Sequence, residues 1–278
     1  MVCGVSGGAD SLALLVLAVA ARCEVTAVHV NHGLRPGSAM EADRVERIAR
    51  EYGAGFRAEA VRVAPGPNLE ARARDARRAV LGPDAALGHT ADDRAETMIV
   101  NLLRGAGLNG LAAIRRGPRH PILALRRSET EALCATEGLT PFDDPSNRDP
   151  AFLRNRIRHE VLPLMADVAR RDLVPILDRQ ADLAAAVSDQ LRADAATIDV
   201  TDARALQATP VVVARVAVRE WLRASHADHH PPDAATVERV LAVARGDAVA
   251  TEVGRGMSVR RSRGRLELGS ADGTGGVG

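Results

Sequence analysis

The sequence predicts an α/β fold in which a parallel sheet carries helices on both faces and a smaller, mainly helical domain follows. Two observations indicate this arrangement. The first 140 residues alternate short β-rich runs with helical patterns, a spacing typical of βαβ units. Beyond the turn-rich segment 141–150, the apolar periodicity becomes helical. We therefore expect a first domain over 1–160, a mainly helical domain over 161–268 and a disordered, Gly-rich tail over 269–278.

The individual elements follow from the same patterns. Strands are expected at 2–5, 24–30, 55–63 and 85–88, with a fifth, less regular candidate at 122–125. Helices are expected between them at 11–21, 38–52, 68–81, 91–104 and 128–137. The second part predicts helices over 151–167, 172–196, 203–224 and 233–245, then a terminal hairpin over 249–253 and 257–268. Ligands of open parallel sheets bind at the carboxyl ends of the strands, so functional residues should follow the strands.

Composition excludes several classes of protein. All 37 basic residues are arginine, so no P-loop lysine can hold a phosphate here. The three cysteines form no C-x-x-C pair, which argues against a zinc or iron–sulfur site. With five aromatic residues, a stacking platform for single-stranded nucleic acid is not expected. The net charge of +1 means that nucleic-acid binding would need a local arginine patch.

One apolar run, 12–21, has the length of a signal-peptide core. It lacks a positive flank, follows Asp10 directly and is too short to span a bilayer. We interpret it as a buried helix and expect a cytoplasmic protein without membrane association.

A glycine-rich loop, S-G-G-A-D-S, follows the first predicted strand at Ser6–Ser11. Gly7 and Gly8 allow a tight turn, and the loop amides with the helix N-terminus form an anion cradle. Ser6 and Ser11 add hydroxyl groups, and Asp10 adds a carboxylate suited to Mg²⁺ beside phosphates. The alternative is a strand–helix turn whose aspartate only serves the helix dipole.

A second candidate group is acidic. On a helix that starts near Thr90, Asp93 and Glu96 are i,i+3 neighbours on one face. Such a pair could bind an incoming ammonium group and take its proton, which an amine with a pKa of about 10.4 must lose before it attacks. The alternative is an acidic first helical turn capped by Thr90.

Arginines form a third group. Arg154, Arg156 and Arg158 place three cations within five residues, a density suited to phosphate contacts. The alternative is a solvated helix face. A further cluster alternates along the terminal hairpin and could contact RNA backbone: Arg255, Arg260, Arg261, Arg263 and Arg265. His226, His229 and His230 suggest a loop more than a metal site.

Together these motifs resemble a known family. S-G-G-A-D-S resembles the PP-loop of N-type ATP pyrophosphatases, which have an adenine-nucleotide alpha-hydrolase-like fold. The sequence resembles the tRNA(Ile)-lysidine synthases specifically over about its first 165 residues, and the helical remainder matches only loosely. The further matching motifs, in the family's order, are N-H-G-L-R at 31–35 with Ser38, G-H-T-A-D-D-R-A-E-T at 88–97, N-L-L-R-G-A-G at 101–107, D-P-S-N at 144–147 and R-N-R-I-R-H at 154–159.

The resemblance implies a reaction. ATP with Mg²⁺ adenylates the O2 of the wobble cytidine, position 34, in tRNA(Ile) with a CAU anticodon. The ε-amine of free L-lysine then displaces AMP at C2, which forms lysidine and changes the tRNA's identity from Met to Ile. The oligomeric state, monomer or homodimer, stays open.

The resemblance also implies residue roles. Asp93 and Glu96 fall on lysine-binding positions, and Arg77 falls on an active-site arginine, with Arg74 as the fallback because this chain has Arg78 where the family has Tyr. Arg154, Arg156 and Arg158 match tRNA-binding positions, with Arg158 also catalytic. A tRNA-thiolating PP-loop enzyme and a non-catalytic nucleotide-binding module are the alternatives.

Overall fold

The computed structural model describes residues 1–31, 38–61, 72, 76, 78–142, 145–225 and 231–270. The chain divides into two compact units, Met1–Ala185 and Ala186–Gly278. The first contains a parallel sheet, and the second combines helices with a small antiparallel sheet.

The first unit is built on a four-stranded sheet whose paired strands are all parallel. Its strands, in the spatial order β3-β2-β1-β4, are β1 (Val2–Gly4), β2 (Thr26–Asn31), β3 (Gly55–Ala60) and β4 (Ala86–Leu87). The α/β class is confirmed. The fifth strand predicted at 122–125 is wrong, because these residues form turns in which the Leu123 N–H donates to the His120 carbonyl. Short apolar runs do not distinguish a buried turn from a strand.

Helices cover both faces of this sheet. They are α1 (Ala9–Ala20), α2 (Ser38–Glu51), α3 (Ala91–Leu103), α4 (Leu108–Leu111) and α5 (Arg127–Thr136). Strand side chains alternate between the faces. Cys3 packs into a cluster with Leu12 of α1, whereas Val2 packs on a second cluster with Leu81, the last residue of a helical stretch at 78–81. Most of the helix predicted at 68–81 lies outside the described residues.

The strand order reverses at β1. Cys3 pairs with Ala27 of β2 on one side and with Ala86 of β4 on the other. The loops that follow β1 and β4 therefore flank one crevice at the carboxyl edge of the sheet. A Cβ at Gly88, just after β4, would lie 2.5 Å from the Asp10 carbonyl oxygen. The backbone after β4 thus packs directly on the start of α1.

The first compact unit extends to Ala185, and a domain boundary at residue 160 stays a prediction. Its later helices are α6 (Leu153–Arg156), a π-helical turn (Ile157–Val161), α7 (Leu162–Ala169) and the first half of α8 (Val174–Ala196). Buried Arg94 of α3 binds the carboxylates of Asp178 at 2.8 Å and Asp182 at 2.7 Å. These ion pairs tie the start of α8 to the first unit.

The second unit contains α9 (Ala203–Ala208), α10 (Val211–Ser225) and α11 (Ala234–Arg245). One helix was expected over 203–224. The helix breaks instead at Thr209, whose backbone is extended at φ −84° and ψ 141°. Pro210 disfavours the α conformation of the residue before it. Val218 and Val240 are fully buried in the core of this unit.

The terminal hairpin is in fact a three-stranded antiparallel sheet of β5 (Ala250–Gly254), β6 (Met257–Ser262) and β7 (Arg265–Ser270). The sequence prediction missed the turn at Arg263 and Gly264, whose φ angles are 47° and 81°. Gly269 and Ser270, assigned to the tail, belong to β7. Residues 271–278 lie outside the described part of the chain.

Candidate active site

The loop between β1 and α1 is held in shape by the hydroxyl group of Ser11. Its oxygen accepts the N–H groups of Ser6 at 3.2 Å and Gly7 at 3.1 Å, and it donates to the Gly8 carbonyl at 2.9 Å. The first amides of a helix lack partners within the helix, so the start of α1 presents donors beside this loop. The predicted anion cradle therefore has a preformed backbone.

Gly7 is required by the conformation of the loop and by its surroundings. Its φ is +88°, and a Cβ there would lie 2.1 Å from the Phe142 ring. The Phe142 N–H donates to the Gly7 carbonyl at 2.9 Å. The segment after α5 thus packs directly on the glycine-rich loop, and only glycine fits at the contact.

A cleft of about 830 Å³ opens at the crevice, within the usual size of ligand pockets. Loop residues Ser6 and Gly8 line it beside Asp10. Side chains from other elements complete the lining, among them His29, Glu41, His89, Asp93, Arg127, Phe142 and Arg158. The structure therefore brings the predicted phosphate loop, one member of the predicted acidic pair and one predicted arginine to one cavity.

Asp93 has two functions at the N-terminus of α3. Its Oδ2 accepts the Thr90 N–H at 2.8 Å, and the Thr90 hydroxyl accepts the Asp93 N–H, which forms a capping box. Its Oδ1 instead accepts Arg127 at 3.0 Å and Arg154 at 2.9 Å. The capping role weighed from the sequence is thus present, and it leaves one oxygen facing the arginines.

Glu96 lies beneath the cleft floor with 1% of its surface exposed. Three guanidinium groups converge on it, and we refer to Arg127, Arg154 and Arg158 as the arginine clamp. The Glu96 Oε1 accepts N–H groups of Arg127 at 3.0 Å and of Arg158 at 2.7 Å. Its Oε2 accepts Arg154 at 2.8 Å and Arg158 at 3.0 Å. The π-helical turn that carries Arg158 follows α6, so both segments project an arginine onto the same carboxylate.

The arginine clamp keeps both carboxyl groups ionised. Burial opposes ionisation of Glu96, but the hydrogen bond from Arg158 and the neighbouring charges outweigh it and lower its pKa. Burial also opposes ionisation of Asp93, and the charges of Arg154 and Arg127 lower its pKa below the usual value. Groups with lowered pKa values are poor proton acceptors. The pair is therefore better suited to binding a cation than to taking its proton.

Asp10 faces the cleft at the first turn of α1. Its Oδ1 accepts the hydroxyl of Thr130, and its Oδ2 lies 3.6 Å from the Nε of Arg127. Burial raises the pKa of Asp10, which marks a carboxylate that would gain from a cation. Mg²⁺ commonly uses one or two carboxylates together with phosphate oxygens, so Asp10 beside the loop fits such an ion.

Arg127 and Thr130 were not predicted from the sequence. Both lie on α5, which begins at Arg127, one residue before the predicted start. Arg126 binds Asp92 at 3.0 Å, and the same carboxylate accepts the Arg127 N–H at 2.8 Å. These contacts fix the start of α5 against α3. Arginine at the start of an amphipathic helix has no distinctive sequence spacing, so only the fold reveals its role.

The remaining predicted residues lie elsewhere. Arg156 is exposed and pairs with Glu160 at 2.9 Å. Arg77 and its alternative Arg74 lie outside the described residues, as do the motif residues 32–35, Asp144 and the histidines at 226, 229 and 230. Among the described helices, none is both long and apolar enough to cross a bilayer.

The parallel sheet, the preformed anion loop and the cleft at the strand-order reversal place the protein in the PP-loop class. A family model described as a PP-loop domain matches residues 1–165, and one described as the TilS substrate binding domain matches residues 202–267.

Sequence relatives narrow the class to one family. The chain is 41% identical to the tRNA(Ile)-lysidine synthase of Nocardia farcinica, over 95% of this chain and 89% of the relative. It is 39% identical to that of Rhodococcus jostii, over 96% and 89% of the two chains. The chain belongs to the tRNA(Ile)-lysidine synthase family.

A solved structure shares the fold. The U34-tRNA thiolase NcsA from Methanococcus maripaludis aligns with a TM-score of 0.55 at 19% identity, over 65% of this chain and 70% of that chain. At this identity the likeness shows the fold alone. The family match does not favour a thiolation enzyme or a non-catalytic module.

Proposed function

We propose that the protein joins L-lysine to C2 of the wobble cytidine of tRNA(Ile) with a CAU anticodon, using ATP, in the bacterial cytoplasm. Family membership supports this reaction. The structural observation that carries it is a single cleft lined by an anion-binding loop and by Asp93, whose neighbour Glu96 is buried behind the arginines that border the cleft. Arg127 links the two, 3.6 Å from Asp10 and 3.0 Å from both Asp93 and Glu96.

In the first half-reaction, the cytidine O2 attacks the α-phosphorus of ATP and pyrophosphate leaves. The loop Ser6–Ser11 holds the phosphates through backbone N–H groups, and Asp10 would hold Mg²⁺, which would supply charge neutralisation at the phosphates. Arg158, which lines the cleft, stabilises the charge that develops on the transferred nucleotidyl group. Arg77 is proposed for the same task on the strength of the family resemblance.

In the second half-reaction, the ε-amine of lysine attacks C2 of the cytidine and AMP leaves with the O2 oxygen. Asp93 and Glu96 bind the ε-ammonium group and orient it. Because both carboxyl groups have lowered pKa values, we assign them to binding and not to proton abstraction, and the protons that the ε-ammonium group loses pass to solvent water.

Contacts with tRNA are proposed for arginines of both units. In the first unit these are Arg154, Arg156 and Arg158. Arg156 is the most exposed of the three, whereas Arg154 and Arg158 also bind Glu96. In the second unit, Arg260 and Arg263 are exposed on the terminal sheet. Phosphate contacts of this kind position the RNA without reading its sequence.

The direct test is incorporation of lysine. The protein is incubated with ATP, Mg²⁺, labelled lysine and tRNA(Ile) with a CAU anticodon, and the RNA is isolated and its mass measured. We expect label in the RNA and a mass gain of one lysine minus one water. A tRNA with uridine at position 34 is the matched control and should remain unlabelled. A gain of sulfur would indicate thiolation, and an unchanged mass would indicate a non-catalytic module.

A further inference from the structure

The carboxylates that should bind lysine have no acceptor capacity left. Each carboxylate oxygen has about two acceptor sites. Both oxygens of Glu96 accept two N–H groups each from the arginine clamp. Asp93 Oδ1 accepts two guanidinium groups, and Oδ2 accepts the N–H and hydroxyl of Thr90. An ammonium group can therefore bind only after a guanidinium has withdrawn.

Charge leads to the same requirement. The three carboxylates Asp10, Asp93 and Glu96 are balanced by the three guanidinium groups of the arginine clamp. Adding an ammonium group would leave a net positive charge in a largely buried cluster, which is unfavourable. If an anion binds beside the cluster first, the net charge becomes negative. One more cation, such as an ammonium group, then becomes favourable.

Arg127 is the member of the arginine clamp best placed to withdraw. Its Nη1 and Nη2 bind Glu96 and Asp93 at 3.0 Å, while its Nε already faces Asp10 at 3.6 Å. It lines the cleft next to the glycine-rich loop. Arg154 does not border the cleft, and Arg158 has no described contact with Asp10.

We propose that Arg127 is a positioning residue that couples the two substrate sites. Without substrates it occupies the carboxylates of Asp93 and Glu96. When a nucleotide binds the loop, its phosphates draw the guanidinium away and open the ammonium site. The inference rests on the proposed function, since it takes ATP and lysine as the ligands.

The coupling has a measurable size and is reciprocal. Couplings of this kind change an affinity by about 5–150-fold, and each ligand changes the affinity for the other by the same factor. Lysine should therefore bind weakly to the substrate-free protein and at least about fivefold more tightly once the nucleotide is bound.

The experiment is isothermal titration of L-lysine into the full chain, with and without α,β-methylene-ATP and Mg²⁺, in the absence of tRNA. This analogue cannot be cleaved between the α- and β-phosphates. Norleucine, which keeps the α-amino group but lacks the ε-ammonium group, is the ligand control and should show no dependence on the nucleotide. Equal lysine affinity in both conditions overturns the inference, as does a lack of lysine binding to the nucleotide-loaded protein. If the analogue itself does not bind, the proposed function fails instead.

Variants test whether Arg127 is the coupling residue. Arg127→Gln should raise the lysine affinity in the absence of nucleotide and bring the coupling factor near one. Arg127→Lys, which keeps the charge, should retain part of the coupling. Arg116→Gln is the control, because exposed Arg116 binds Asp178 and Asp182 and makes no described contact with the arginine clamp's carboxylates. Its coupling should equal that of the wild type. Unchanged coupling in Arg127→Gln would overturn the assignment, and the wild-type titration keeps the inference testable if this variant does not fold.

Discussion

Replacing Glu96 by glutamine removes the negative charge on which the arginine clamp converges. The wild-type carboxylate accepts four guanidinium N–H groups at 2.7–3.0 Å. The amide that replaces it keeps one acceptor oxygen and turns an NH₂ group toward donors. Three cations then share two remaining carboxylates, those of Asp93 and Asp10, so the substitution should destabilise the first unit.

The size of the loss follows from burial. Hydrogen bonds to charged groups contribute about 1.5–3 kcal/mol each, and breaking a buried ion pair costs about 3–5 kcal/mol. The clamp arginines keep 21–30% of their side-chain surface exposed, so water compensates for part of the loss. We expect a loss of about 2–4 kcal/mol in the free energy of unfolding. For a unit of this size, that corresponds to a decrease in Tm of about 4–16 °C.

Thermal unfolding of the wild type and Glu96→Gln, followed by circular dichroism from pH 3 to pH 8, measures this loss. Because the pKa of Glu96 is lowered in the folded state, its contribution is complete above the usual value of 4.5 and disappears as the pH falls through the folded-state pKa. The difference in Tm between the two proteins should therefore be constant at neutral pH and narrow below pH 4.5.

A matched control is Glu160→Gln, which removes the exposed partner of Arg156. Surface ion pairs contribute little to stability, so its Tm should match that of the wild type. If Glu96→Gln had the wild-type Tm at pH 7, or if its lower Tm persisted at low pH, the convergence of charges on Glu96 would not be a source of stability.

Four further substitutions separate the steps of the reaction. Asp10→Asn should abolish pyrophosphate release without unfolding, because asparagine can still accept the Thr130 hydroxyl but cannot neutralise Mg²⁺; normal release would refute this role. Asp93→Ala should impair lysine transfer more than adenylation in single-turnover assays, and equal losses would indicate metal binding or misfolding. Arg156→Ala should weaken tRNA binding in filter assays and flatten the log–log salt slope by about 0.7–0.9, whereas an unchanged slope would mean a merely solvated side chain. Arg158→Ala should lower the rate even at saturating tRNA, and an unaltered kcat would exclude a transition-state role.

Local patterns in the sequence determined much of the first unit. Strand–helix alternation predicted the parallel sheet, and S-G-G-A-D-S predicted the loop Ser6–Ser11 at the correct strand end. The cap at Thr90 was also weighed from the sequence, and the structure contains it. These features depend on residues a few positions apart, where periodicity and backbone geometry act directly.

Sequence patterns over a few residues did not predict the structure correctly where tertiary packing decides the conformation. The apolar run at 122–125 forms a buried turn and not a strand. The sequence predicted the helix at 172–196, but it did not predict the ion pairs with Arg94 that tie the start of this helix to α3. Both outcomes depend on partners that lie far away in the sequence.

The composition of the site was decided only by the tertiary structure. Arg127, Arg154 and Arg158 reach Glu96 across 31, 58 and 62 residues of sequence. The sequence identified Arg154 and Arg158 as cations for tRNA, yet in the folded protein they bind a buried carboxylate. The sequence gave no indication of a role for Arg127. Spacing within a segment shows which residues share a face, but the pairing of charges depends on which faces meet in the fold.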